Sequence, residues 1–152
     1  MGARPAGPPP LHRPGADSGS VERLILDTGA LIALERGTAD TADVLPADAD
    51  VAISAITAAE LLVGVELADE RHRTPRATFV EGIIERVEII AYDLDVARHH
   101  ASLLAHARRA GEPRGAHDLQ IAATARATDR TLITTDTTAF SDLPRVSHRL
   151  LS

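Results

Sequence analysis

Arg23-Leu24-Ile25-Leu26-Asp27-Thr28-Gly29-Ala30 carries a short apolar run straight into an acid, a hydroxyl and two small residues. A run of this length, followed by cap-forming side chains, reads as a buried strand entering a capped helix. The same transition recurs down the chain. Asp50 to Ile53 is a second short run, followed by Ser54 and a helix-periodic segment from Ala55 to Leu67. A helix over Pro75 to Glu85, with Pro75 in its first turn, precedes a third strand at Val87-Glu88-Ile89-Ile90. Asp93 to Ala110 is a long helix closed by Gly111, and Ala116 to Thr128 is another. Thr131-Leu132-Ile133-Thr134 is a fourth strand, and a weak fifth lies near Val146 to Leu150. Alternation of this kind predicts an α/β fold with a mainly parallel central sheet flanked by helices. There is no internal repeat.

Composition narrows the chemistry. The chain has 152 residues, 44% of them apolar, enough for one domain with a real core and too few for two. It has no cysteine, which removes disulfides, thiolate nucleophiles and Cys-ligated metal centres. No stretch approaches the ~18 apolar residues of a membrane span, and no apolar core of a signal peptide is present, so the expected location is the cytoplasm with no membrane partner. All 16 basic residues are arginine, which excludes the lysine-dependent P-loop. A net charge of −6 argues against holding nucleic acid by general attraction and leaves room for a local basic patch. Residues 1–20 contain five of the nine prolines, four of the ten glycines and, beyond Met1, a single large hydrophobe, Leu11. Such sequence buries too little surface to offset its ordering entropy and reads as a disordered Pro/Gly-rich tail, or as an over-long gene start. The folded domain is then 21–152.

Four carboxylates stand in informative places. Asp27 and Asp136 follow strands, where ligands of open parallel sheets bind; taken singly, each also reads as a helix N-cap. Glu60 falls within the stripe Ile56, Ala59, Val63, Leu67 of its helix, and a carboxylate on a buried face needs a partner. Asp118 leads the stripe Ile121, Ala122, Ala125, with N-capping again the plainer reading. If the four converge, mutual repulsion raises one or more of their pKa values unless a cation intervenes. With oxygen ligands alone that cation is Mg2+ or Mn2+, and such an ion works most often on phosphate groups.

Other polar residues have plainer readings. His99, His100 and His106 share a helix and lack the spacing of a metal site. His117 points about 100° away from Asp118 and reads as a capping or surface residue. Asp93 and Asp95 read as caps. Arg71, Arg73 and Arg76, and likewise Arg108, Arg109 and Arg114, read as solvated helix ends, although an acidic site that works on phosphate groups needs some cations beside it. Only Phe79, Tyr92 and Phe140 are aromatic, so base stacking is not a major source of affinity for any substrate.

Leu26-Asp27-Thr28, Ser54-Ala55-Ile56-Thr57-Ala58-Ala59-Glu60-Leu61, Gly115-Ala116-His117-Asp118-Leu119-Gln120-Ile121-Ala122-Ala123-Thr124-Ala125 and Leu132-Ile133-Thr134-Thr135-Asp136-Thr137-Thr138-Ala139-Phe140 resemble, in order and spacing, the PIN-domain ribonucleases, and within them the VapC toxins of bacterial type II toxin–antitoxin pairs. The resemblance covers residues 21–152. It implies a PIN-like three-layer sandwich and a Mg2+- or Mn2+-dependent endoribonuclease whose acidic quartet is Asp27, Glu60, Asp118 and Asp136, with Thr135 or Thr57 hydrogen-bonding nearby. It further implies a structured RNA substrate (tRNA or rRNA), inhibition of translation, a homodimer, and silencing by a VapB-like antitoxin. Leu61, Leu62 and Val65, off the Ile56/Val63 stripe, either offer such a partner a docking face or pack in the domain's own core or in a homodimer. Thr137-Thr138-Ala139 departs from the more polar sequence common in the family after the last acid, and Asp142 is the nearest substitute. Two alternatives share the fold: a PIN ribonuclease of RNA processing without an antitoxin, and a non-catalytic PIN-like scaffold, which loss of one of the four acids would mark. Phosphoacceptor receivers and haloacid-dehalogenase-like phosphatases, which also place an Asp after the first strand, rely on a lysine that is missing here.

Overall fold

A computed structural model of the chain describes Gly2, residues 21–39 and residues 45–151. Apart from Gly2, the expected N-terminal tail lies outside the described residues. Ten elements follow in order: β1 (Arg23–Leu26), α1 (Thr28–Arg36), β2 (Asp50–Ser54), α2 (Ala55–Glu66), α3 (Glu70–Arg86), β3 (Glu88–Ile90), α4 (Leu94–Ala110), α5 (Ala116–Ala127), β4 (Thr131–Thr134) and β5 (His148–Leu150). The strands form one sheet in the order β3-β2-β1-β4-β5, and every pairing is parallel.

Two cores sandwich that sheet. Because strand side chains alternate, Leu24 and Leu26 of β1 pack with Ala30, Leu31, Ala58, Leu61 and Val80 of α1–α3, while Ile25 between them packs with Val96 and Leu103 of α4 and Leu119 to Ala125 of α5. Ile133 and Leu132 of β4 divide between the two faces in the same way. With both faces covered, the central strands read as continuous apolar runs, the signature carried by the sequence. The chain leaves β1 towards β2 and, after β3, returns to the far side of β1 as β4. The order of winding therefore reverses between β1 and β4, and the crevice beyond their carboxyl ends is the ligand-binding position of such sheets.

Several local expectations are corrected. The third helix begins at Glu70, capped by Asp69, whose side chain accepts from the His72 amide at 2.9 Å, and Pro75 lies inside it. The missing Pro75 N–H leaves its would-be partner carbonyl on Arg71, in a turn exposed to solvent, so the helix tolerates the proline. Arg71 and Arg73 consequently lie at the start of a helix rather than at its end, where the dipole does not favour them, and Arg73 spends its guanidinium on the Ala68 carbonyl at 2.9 Å. On α2 the buried face is Thr57, Ala58 and Leu61; Ala59, Val63 and Leu67 are exposed, Val63 by 53% and Leu67 by 81%. The expected docking trio divides with it: Leu61 is core, Val65 packs against the core, and Leu62 alone is exposed. Asp93 caps α4 as expected, whereas Asp95 stands 3.8 Å from His99 one turn on. Gly111, with φ 65°, ends α4 in the left-handed conformation that glycine favours.

Candidate active site

Asp27 sits where β1 becomes α1, caps that helix and borders the cleft at the strand ends. Its Oδ1 accepts the Ala30 amide at 2.8 Å as the N-cap of α1, while Oδ2 accepts a short hydrogen bond from the Thr134 hydroxyl of β4. Thr134 Oγ1 in turn accepts the Asp136 amide at 3.0 Å, so a hydrogen-bonded chain links the ends of the two central strands. Asp27 is only 7% exposed. Burial pushes its pKa above the usual value, the bonds from Thr134 and Ala30 oppose that, and the charges of Asp136 and Glu60 add to it.

Glu60 lies at the edge of the buried face of α2, not within it, and its partners arrive from two other helices. Thr28 Oγ1 donates to Oε1 at 2.9 Å, and His117 Nδ1 stands 3.5 Å from Oε2. Asp118 occupies the first turn of α5 without capping it: the cap position is Gly115, which makes no side-chain hydrogen bond. The Asp118 carboxylate instead folds back over Gly115, so that a Cβ there would come within 2.9 Å of Oδ2. Burial raises the Asp118 pKa, and Asp136, Asp27 and Glu60 raise it further against the opposing His117. Asp136 is the exposed member. Its Oδ1 accepts from the Thr138 amide at 2.8 Å, the Ala139 amide at 2.9 Å and the Thr138 hydroxyl at 3.2 Å, and these bonds lower its pKa.

All four carboxylates line one cleft of about 240 Å³, together with Thr28, Gly29, Ile121 and Thr135. Asp118 and Asp136 also line a neighbouring cleft of about 420 Å³, which includes Arg114 and Asp142. The donor to Asp27 is thus Thr134, a correction to the expected Thr135 or Thr57; Thr57 bonds to Ser54, and Thr135 borders the cleft against Gly29. Sequence reasoning passed over Thr28, Thr134 and the reach of His117 to Glu60. Register carries the Thr134 signal, because Leu26 pairs with Ile133 and the residue after each therefore meets its counterpart. Among the described residues no three acidic or histidine side chains gather closely enough to hold an ion by themselves. Unneutralised carboxylates repel one another, so a set that is spread around a cleft and supplies only oxygen fits an ion that keeps several waters, as Mg2+ does.

Residues 24–146 match the PIN domain family. The chain belongs to the PIN-domain family, in its VapC branch. It is 32% identical to the Ribonuclease VapC of Rickettsia bellii over 124 residues, which cover 81% of this chain and 92% of that protein. To the tRNA(fMet)-specific endonuclease VapC of Salmonella typhimurium it is 35% identical over 96 residues, covering 62% of this chain and 70% of the other. Among solved structures, the VapBC-5 toxin–antitoxin complex from Mycobacterium tuberculosis superposes with a TM-score of 0.70 at 32% identity, covering 84% of this chain and 96% of the matched one. VapBC2 from Rickettsia felis superposes with a TM-score of 0.77, at 23% identity, covering 86% and 99%, a likeness of fold. The parallel sheet presents its strand ends as a floor, and that floor carries Asp27 and Asp136. No helix among the described residues is long and apolar enough to cross a membrane.

Proposed function

We propose that this VapC-type PIN domain is a divalent-metal-dependent endoribonuclease, the toxin of a toxin–antitoxin pair, which cleaves a structured RNA such as tRNA or rRNA and so inhibits translation. The observation that carries this reading is the meeting of four carboxylates, from four segments spread over 110 residues of chain, along one cleft at the strand ends. Asp27, Glu60, Asp118 and Asp136 are the residues that would hold Mg2+ or Mn2+. Held there, such an ion would supply charge neutralisation at a scissile phosphate and make an attacking water more acidic.

The rest is supplied by the chain. The Ala30 amide and the Thr134 hydroxyl fix both oxygens of Asp27, and Thr28 fixes one oxygen of Glu60, so neither acid has to be ordered when ligands arrive. Burial and the neighbouring negative charges raise the pKa values of Asp27 and Asp118, so a bound cation would favour the charged form of both. The uncompensated negative charge of the cleft also suits a cationic side chain from an antitoxin, which would displace the ion. Pairing as a homodimer belongs to the same proposal.

Sequencing RNA 5′ ends after brief expression tests the substrate, with and without co-expression of any small protein that the neighbouring gene encodes. New ends at a few positions in tRNA or rRNA, abolished by the neighbour's product, are expected. Unaltered 5′ ends on expression of the toxin alone would sink the ribonuclease reading, and ends untouched by the neighbour would reduce it to a PIN ribonuclease without an antitoxin.

A further inference from the structure

Arg114 was expected to be a solvated helix-end charge, and the structure puts it to a different use. Its side chain is 12% exposed. Nη1 donates to the carbonyls of Thr138 at 2.9 Å and Ala139 at 3.0 Å, and Nη2 donates to the carbonyl of Ser141 at 2.7 Å. Glu112 Oε2, 3.4 Å from Nη2, braces the guanidinium from its own segment. All three acceptors lie in the irregular connection between β4 and β5, residues 135–147, which carries Asp136 near its start. The same turn aims that acid, because the amides of Thr138 and Ala139 hold Asp136 Oδ1. Arg114 itself adjoins Gly115, the cap of α5, and stands four residues before Asp118. One guanidinium therefore ties the loop that directs Asp136 to the helix start that carries Asp118, and touches neither carboxylate.

We propose that Arg114 is a positioning residue that sets the placement of Asp136 relative to Asp118 by clamping the backbone of residues 138–141. Only a planar fork with several N–H donors spans three carbonyls at once; a lysine ammonium is a point charge and serves them poorly. Without the clamp the loop keeps buried Phe140 and Leu143 and its own bonds to Asp136 Oδ1, so Arg114 governs where the loop sits rather than whether it folds. Displacement of a site group by about 1 Å is enough to cost about 10²-fold in rate.

The proposal rests on the ribonuclease reading for its kinetics but not for its structural readout. Arg114→Ala and Arg114→Lys are compared with Arg126→Ala. Arg126 reaches the Pro144 carbonyl, farther along the same connection, at 3.4 Å and serves as the control for general loosening. For Arg114→Ala, kcat on an RNA substrate is expected to fall about 10²-fold with KM within about twofold. Guanidinium ion added at millimolar concentration should restore part of the loss, and lysine at 114 should not restore full activity. Hydrogen exchange at the Thr138 and Ala139 amides is expected to quicken about tenfold in Arg114→Ala and to stay unchanged in Arg126→Ala. Retained kcat in Arg114→Ala, equal losses in Arg114→Ala and Arg126→Ala, or unchanged exchange at 138 and 139 would overturn the proposal. If the wild type cleaves no RNA, the ribonuclease reading falls and the exchange rates alone decide the role of Arg114.

Discussion

Gly115 separates the demands of folding from those of the site at a single residue. Its backbone, at φ −57° and ψ 135°, is one that alanine adopts without strain, yet an added Cβ would meet Asp118 Oδ2 at 2.9 Å. The atom in the way is the end of a side chain, so the carboxylate swings aside and the fold stays. Gly115→Ala is expected to shift stability by no more than about 1 kcal/mol while lowering RNA cleavage by about 10²-fold. A thermal melt and a cleavage assay on the same sample check it; full activity would show that Asp118 need not sit over Gly115. Asp27 shows how far single residues were legible. Its two readings, cap and site, competed in the sequence because both ask for an acid after a strand; the structure shows the cap through Oδ1 and turns Oδ2 to Thr134 beside the cleft. Thr28 and His117 were not legible as partners of Glu60, because contacts between residues 32 and 57 positions apart depend on how α1, α2 and α5 converge, which no local pattern states.

At the scale of elements, periodicity named the helices and strands correctly and misjudged which face of α2 is buried. That helix is apolar nearly all round, so the stripe through Val63 and the one through Leu61 compete on equal terms, and only contact with α3 and the sheet decides for Leu61. The start of α3 was lost to Pro75, whose preference for a first turn outweighed the Asp69-Glu70 cap signal. Arg130, which precedes β4 and is 5% exposed, binds the sheet at the end opposite the cleft. Its guanidinium donates to the Leu24 carbonyl at 3.1 Å, the Asp50 carbonyl at 2.9 Å, Asp50 Oδ1 at 3.1 Å and Glu88 Oε2 at 3.1 Å, joining β1, β2 and β3. Arg130→Ala removes a buried charge from its partners and is expected to cost about 3 kcal/mol in denaturant unfolding, with kcat of the remaining folded enzyme unchanged. A fall in kcat at temperatures where the variant is fully folded would show that this end of the sheet is coupled to the site.

For the whole molecule, the acidic cleft places function and stability in opposition. Asp27 and Asp118 have pKa values raised above the unfolded carboxylate value of 3.8, so between that value and the raised ones the native state binds more protons than the unfolded chain. Stability from these groups is therefore present below the unfolded pKa and lost as pH rises through the folded values. Asparagine at 27 keeps a cap acceptor for Ala30 and carries no charge. In metal-free buffer, the stability of Asp27→Asn relative to wild type is expected to grow as pH rises from about 4 towards neutrality. Parallel curves for the two proteins over that range would show that Asp27 carries no such penalty. A cation reverses the balance: at a hundred times its Kd, bound Mg2+ stabilises the wild type by about 2.7 kcal/mol.

Calorimetric titration of Mn2+ into the metal-free wild type and into Asp27→Asn, Glu60→Gln, Asp118→Asn and Asp136→Asn tests most directly whether these four carboxylates form one metal site. The account predicts saturable binding to the wild type, weakened at least about tenfold in every variant whose melt shows it folded. Binding to the wild type that all four variants retain unchanged, or no binding to the wild type at all, would contradict it.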